Sequence, residues 1–177
     1  MMPVKAKWKS VLQSVGVVSI GFILNGCVQA EPEISPILPQ TKVCLTPAQG
    51  DPILLEIELA RTPAQRSQGL MERDSLGEYA GMLFVYSYTQ SLSFWMYNTL
   101  IPLDIAFLDE EGAIVDIQQM LPCETRIASL CPRYISAEPA LMALEVNYGA
   151  FENWGVRVGD TLYNETCHEP VTGSTQW

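Results

Sequence analysis

Between residues 52 and 162 apolar and polar positions alternate with a period of two over several short runs, the pattern of strands that bury one face. The longest instance runs from Ser93 to Asp109, where two apolar arms flank a bend carrying Asn98, Thr99 and Pro102. Leu92, Phe94 and Met96 fall on one side of the first arm, with Ser93, Trp95 and Tyr97 on the other. In the second arm Leu103, Ile105 and Phe107 share a side, which leaves Asp104 opposite them with Ala106 and Leu108. The pattern reads as two strands and their turn, with a carboxylate set inside a sheet.

Other segments extend this picture. Leu55, Ile57 and Leu59 oppose Glu56 and Glu58, which predicts a strand over 52–60. Thr62-Pro63-Ala64-Gln65 then supplies a capping hydroxyl, a proline at the first helical position and a glutamine three residues after the cap. A short helix to about Met71 is expected, and a second turn would bring Arg66 and Arg73 onto one face. Gly81 to Tyr86 has strand length, and Asp109-Glu110-Glu111-Gly112 reads as the turn into a partner over 113–118. Met142, Leu144, Val146 and Tyr148 oppose Glu145 in a further strand. A helical turn over 150–154 and a last strand ending at Leu162 complete the set. Strands at short spacing with an early helix predict a mainly β fold, an antiparallel β-sandwich or partly closed barrel with one short N-terminal helix.

The chain of 177 residues suits one core, placed here at 43–167, with 168–177 read as a flexible tail. Residues 1–26 read as an export signal. Lys5, Lys7 and Lys9 precede an apolar run from Val11 to Leu24, and Gly26-Cys27 follows, similar to the cleavage site of a bacterial lipoprotein. Cys27 is then the lipidation site, and 27–42, with Pro32, Pro36 and Pro39, is a stiff tether. The expected address is the cell envelope, at the periplasmic side of the outer membrane where two membranes exist. Removing the three leader lysines from ten basic residues leaves seven against twenty acidic ones, a net charge of −13. Nucleic acid is excluded as an expected partner, because phosphate binding needs a basic patch.

Assigning Cys27 to lipid leaves Cys44, Cys123, Cys131 and Cys167, an even set for an oxidising compartment. Of three connectivities the preferred one joins Cys123 to Cys131, closing a short loop, and Cys44 to Cys167, stapling the ends of the domain. No metal site is expected, since there is no CxxC pair and His168 stands alone near the C-terminus. No phosphate loop or dinucleotide fingerprint is present, and no cofactor is implied.

Gln68-Gly69-Leu70-Met71-Glu72-Arg73, Gly81-Met82-Leu83-Phe84, Phe94-Trp95-Met96-Tyr97-Asn98-Thr99, Ile101-Pro102-Leu103-Asp104, Ala143-Leu144-Glu145-Val146 and Gly159-Asp160 occur in this order. Together they resemble the domain of unknown function family numbered 192, over about 54–162. The resemblance implies a β-sandwich with a short helix, frequent export and no established activity. Family members commonly carry lysine where this chain has Tyr97.

Candidate chemistry centres on two carboxylates. Asp104 and Glu145 both project from the less apolar side of their strands, so a meeting across the sheet would suit general acid and base work. Structural roles compete: Asp104 accepting from Asn98 or Thr99, and Glu145 pairing with Arg66 or Arg73. The arginines would equally clamp an anionic ligand. The expected geometry has the 98–102 loop and Asp104 as one wall, facing Arg73 or Arg66. Trp95, Tyr97 and Trp154 are candidates for a sugar platform. Met71, Met82 and Met96 read as core filler before copper ligands. The leading function is a lipid-anchored envelope binding or accessory module for a small molecule or envelope polymer, sited around Asn98 to Asp104. The alternative is a hydrolase or lyase using Asp104 and Glu145.

Overall fold

The computed structural model describes residues 38–125 and 127–175, and in it the period-two segments become strands. The leader, Cys27 and the tether up to residue 37 lie outside the described residues. In chain order the elements are β1 (Gln40–Thr46), β2 (Ile53–Ala60), α1 (Pro63–Gln68), β3 (Ala80–Gln90), β4 (Ser93–Phe94) and β5 (Leu103–Leu108). They are followed by β6 (Ile114–Met120), β7 (Tyr134–Ile135), β8 (Ala140–Asn147), α2 (Ala150–Trp154) and β9 (Thr161–Asn164).

Seven strands form one sheet in the order β6-β5-β8-β3-β2-β1-β9, and β4 pairs with β7 in a small second sheet. The large sheet curls into a half-barrel, the partly closed form of the expected fold. Its edges approach each other where Ala113 bridges Thr161 and the Ile114 amide donates to the Asp160 carbonyl at 2.8 Å. The pairings are antiparallel except β2 with β3, which run parallel. A parallel neighbour requires a crossover, and the segment carrying α1 provides it.

Both faces of the sheet are covered, which explains why β5 and β8 are so apolar. One core gathers Leu45, Ile57, Leu83, Ala106, Leu144 and Leu162 and is closed by Phe151 of α2. The other gathers Met82, Phe84, Ile105 and Phe107 of the sheet under Leu70, Phe94 and Met96. Gly81 sits between β2 and β8 because a Cβ there would stand 2.6 Å from the Glu145 carbonyl oxygen.

Several expectations change. The two arms of the 93–109 stretch do not pair with each other: β4 joins β7, whereas β5 joins β6 and β8. The side assignments hold nonetheless, with Leu92, Phe94 and Met96 all buried on one side of the first arm. The capping box of α1 forms, Thr62 Oγ1 accepting from Gln65 N at 3.2 Å and Gln65 Oε1 accepting from Thr62 N at 2.9 Å. The helix ends at Gln68, because Gly69 takes φ 48°, a left-handed value that a helix cannot continue through. The tether expected over 27–42 already enters β1 at Gln40. The tail is likewise shorter than expected: Val171 is fully buried, and its amide donates to the Leu162 carbonyl at 2.8 Å. Disulfides join Cys44 to Cys167 and Cys123 to Cys131.

Candidate functional site

Glu145 lies in the middle of β8, opposite Ile105 of β5 and Met82 of β3, so its side chain enters the core beneath Leu70 and Phe94. It is 4% exposed and forms no hydrogen bond or ion pair among the described residues. Burial alone pushes its carboxyl up to about 8, so the group is protonated at neutral pH. A neutral carboxyl offers one donor and retains acceptor capacity. A carboxyl set among apolar side chains, with Tyr86 as its electrostatic neighbour, marks the position as one that packing alone does not explain.

The carboxyl borders a cavity of about 30 Å³ lined by residues 66–71, Phe84, Phe94, Trp95, Thr99 and Glu145. That is room for about one or two waters, or for one small chemical group. The cavity exists because α1 stops early. Gly69 turns the chain down onto Phe84, where a Cβ would meet the ring at 3.3 Å, and brings Leu70 into the core. The segment is then tied to the 98 bend, Glu72 N donating to the Asn98 carbonyl at 2.8 Å, with both residues at positive φ.

The opposite wall is held by β4 and the short disulfide loop. Cys123 N donates to the Met96 carbonyl at 3.3 Å, and the bond to Cys131 fixes the chain two residues before Arg133. The Arg133 guanidinium lies 4.2 Å from the centre of the Trp95 ring, and Tyr97 stands 5.7 Å away on the other aromatic contact. Thr99 is 7% exposed and its hydroxyl makes no hydrogen bond among the described residues. Arg66 flanks the rim, donating to the carbonyls of Arg61 at 2.6 Å and Val85 at 3.0 Å and lying 4.4 Å over the Tyr86 ring.

Four of the seven candidate side chains, Arg66, Trp95, Thr99 and Glu145, thus meet at one cavity, and Asn98 supports it through its backbone. Arg73 does not join them. It lies beyond the end of α1 and makes a bidentate pair with Glu58, Nη2 to Oε2 at 2.8 Å. That hydrogen bond raises the guanidinium pKa against the opposing effect of burial.

Asp104 is also elsewhere, which corrects two expectations. It pairs with Val146 on β8 and Gln119 on β6, so it faces the core closed by Phe151, on the other side of the sheet from Glu145. The two carboxylates therefore cannot act as a pair, and the hydrolase or lyase built on them is removed. Nor does Asp104 face Arg66 or Arg73. Its Oδ2 accepts from Phe151 N at 3.3 Å, and the Gly149 amide and the Gln119 side chain also stand close to the carboxylate. Trp154 stacks on Tyr79 at 5.9 Å and contacts Phe151 edge-on, so it takes no part in a platform with Trp95 and Tyr97. Met82 and Met96 are buried core residues.

A larger hollow of about 830 Å³ lies between Tyr86, Glu110 and Thr172. It is open and carries no buried unpartnered group, so it offers little to hold a ligand in one orientation. No cluster of three or more His, Cys, Asp or Glu side chains suited to a metal occurs among the described residues. Residues 67–71 were not singled out as lining from the sequence, although the glycine after Gln68 signals the helix stop that places them there.

Residues 45–163 match the DUF192 family, described as Uncharacterized ACR. A protein from Sinorhizobium meliloti 1021, described as a candidate transcription regulator, is 36% identical. That match spans 71% of this chain and 93% of the other, with a TM-score of 0.65. A protein of unknown function from Novosphingobium aromaticivorans DSM 12444 is 33% identical over 75% of this chain and 92% of its own, also with a TM-score of 0.65. No curated protein matches the chain.

Proposed function

The chain belongs to the DUF192 family, and on that premise we propose that it is a small-ligand binding module of the cell envelope, with the Glu145 cavity as its site. The observation that carries this reading is the buried carboxyl that borders the cavity, its pKa pushed up by burial. Most of the cavity lining comes from the sequence motifs that carry the family resemblance, although those motifs lie far apart in the chain.

The chemistry favours a neutral ligand group. A protonated carboxyl beside a free hydroxyl suits a group that both donates and accepts, such as a sugar hydroxyl or an acetamido group. A cation would have to ionise Glu145 beside Arg66. Trp95, which lines the cavity, and Tyr97 in contact with it offer aromatic surface for the rest of a sugar ring, which makes an envelope glycan the fitting ligand class. Transcription, the role in the description of the S. meliloti protein, finds little support in a chain with ten basic and twenty acidic residues. Titrating N-acetylglucosamine trimer into the full-length protein in mild detergent tests the reading by calorimetry. Glu145→Leu is expected to weaken binding about 10–100-fold by removing both hydrogen bonds. Absence of binding by the unaltered protein would contradict the glycan assignment.

Export and anchoring form part of the same proposal. The two disulfides support an oxidising compartment, and the Gly26-Cys27 pattern supports lipidation at Cys27, with attachment to the outer membrane on its periplasmic side where two membranes exist. Cys27→Ala is expected to move the protein from the membrane pellet to the soluble fraction. Unchanged retention in the pellet would count against the anchor.

A further inference from the structure

The opposite face of the sheet carries a second group that packing does not satisfy. Asp104 is 1% exposed, and its Oδ1 has no hydrogen-bond partner among the described residues. Asp104 lines a cavity of about 390 Å³, a volume suited to a small organic molecule and far larger than a bare ion needs. Ile117, Phe151 and Val156 give this cavity apolar walls, and Glu152 and Arg157 stand at its rim. Both rim side chains are exposed and make no hydrogen bond or ion pair among the described residues. The backbone beneath Arg157 is fixed all the same, because Asp160 accepts from Arg157 N at 2.8 Å and from Ala48 N at 3.1 Å.

We propose that this cavity binds a free α-amino acid with an apolar side chain, its ammonium held by Asp104 and Glu152 and its carboxylate by Arg157. The charged groups that line the cavity match that ligand: a buried carboxylate with an unpartnered oxygen, and a second carboxylate and a guanidinium on exposed side chains. The guanidinium fork suits a carboxylate, and the apolar walls receive the side chain. Burial raises the Asp104 pKa, opposed by the nearby Gly149 and Phe151 amides and the Gln119 side chain, and the Glu152 charge raises it further. An incoming ammonium reverses that effect by supplying the missing counter-charge.

The test is calorimetric titration of L-leucine into the full-length protein. Binding is expected in the unaltered protein and is expected to fall about 10-fold or more in Arg157→Ala and in Glu152→Gln, and further in Asp104→Asn. n-Butylamine, which keeps the ammonium but lacks the carboxylate, should bind at least about 10-fold more weakly than L-leucine. Failure of L-leucine to bind, equal binding of n-butylamine, or full binding by Arg157→Ala would each overturn the proposal. Arg157 and Glu152 are exposed, so their variants keep the test decisive even where Asp104→Asn disturbs the fold.

Discussion

Glu145→Gln is expected to stabilise the folded domain at pH 7, by up to about 3 kcal/mol, and to flatten its stability across the neutral range. The carboxyl titrates near its ordinary value of 4.5 when unfolded and at about 8 when folded. Below pH 4.5 both states hold the proton and the stability is at its highest. As pH rises from 4.5 to 8 the unfolded chain releases the proton while the folded chain keeps it. The folded state then binds more protons, so stability falls with pH at up to about 1.4 kcal/mol per unit and levels off above 8. Glutamine has no proton to lose and keeps the shape of the protonated acid. Urea unfolding at pH 5, 7 and 8.5 measures the effect. Parallel curves for the two proteins would mean that Glu145 ionises freely in the fold. A stabilising substitution at a buried polar residue is what a site that trades stability for binding produces.

The second large effect concerns the long disulfide. Cys44 and Cys167 are 123 residues apart, whereas Cys123 and Cys131 are separated by 8. Chain entropy makes the stabilisation grow with the closed loop, to about 5 kcal/mol for the first bond and about 2–3 kcal/mol for the second. Cys44 is also fully buried, so its loss leaves a defect in β1. The Cys44→Ala/Cys167→Ala variant is therefore expected to lose about twice the stability lost by Cys123→Ala/Cys131→Ala, read by denaturant midpoint. The short bond should matter more for ligand binding, because it fixes the wall carrying Trp95. Equal losses of stability would show that the ends of the domain are held mainly by packing.

The alternation of apolar residues identified most strands and the correct side for each residue within a strand, down to Asp104 falling opposite Ile105. Alignment between strands was not legible. Asp104 and Glu145 each lie on the less apolar side of their own strand, yet β5 and β8 pair so that Ile105 faces Glu145. A one-residue difference in register moves a side chain across the sheet, and register depends on long-range packing that periodicity does not encode. The parallel pairing of β2 and β3 is hidden for the same reason. Arg73 found Glu58 because the chain leaves the helix at Gly69, a stop signal present in the sequence next to a helix expected to run to Met71. The cavity-lining residues Arg66, Trp95, Thr99 and Glu145 were legible as candidates, but their meeting at one cavity depends on that stop and on the bend at Asn98.

The central claim is that Glu145 is a protonated, ligand-facing carboxyl. Carbon-13 NMR of the side-chain carboxyl in glutamate-labelled protein, assigned by its loss in Glu145→Gln, tests it with and without N-acetylglucosamine trimer. The account predicts a titration near pH 8 in the free protein and a shift of the resonance on adding the sugar at pH 7. A carboxyl that titrates near pH 4.5 and does not respond to the sugar would contradict it.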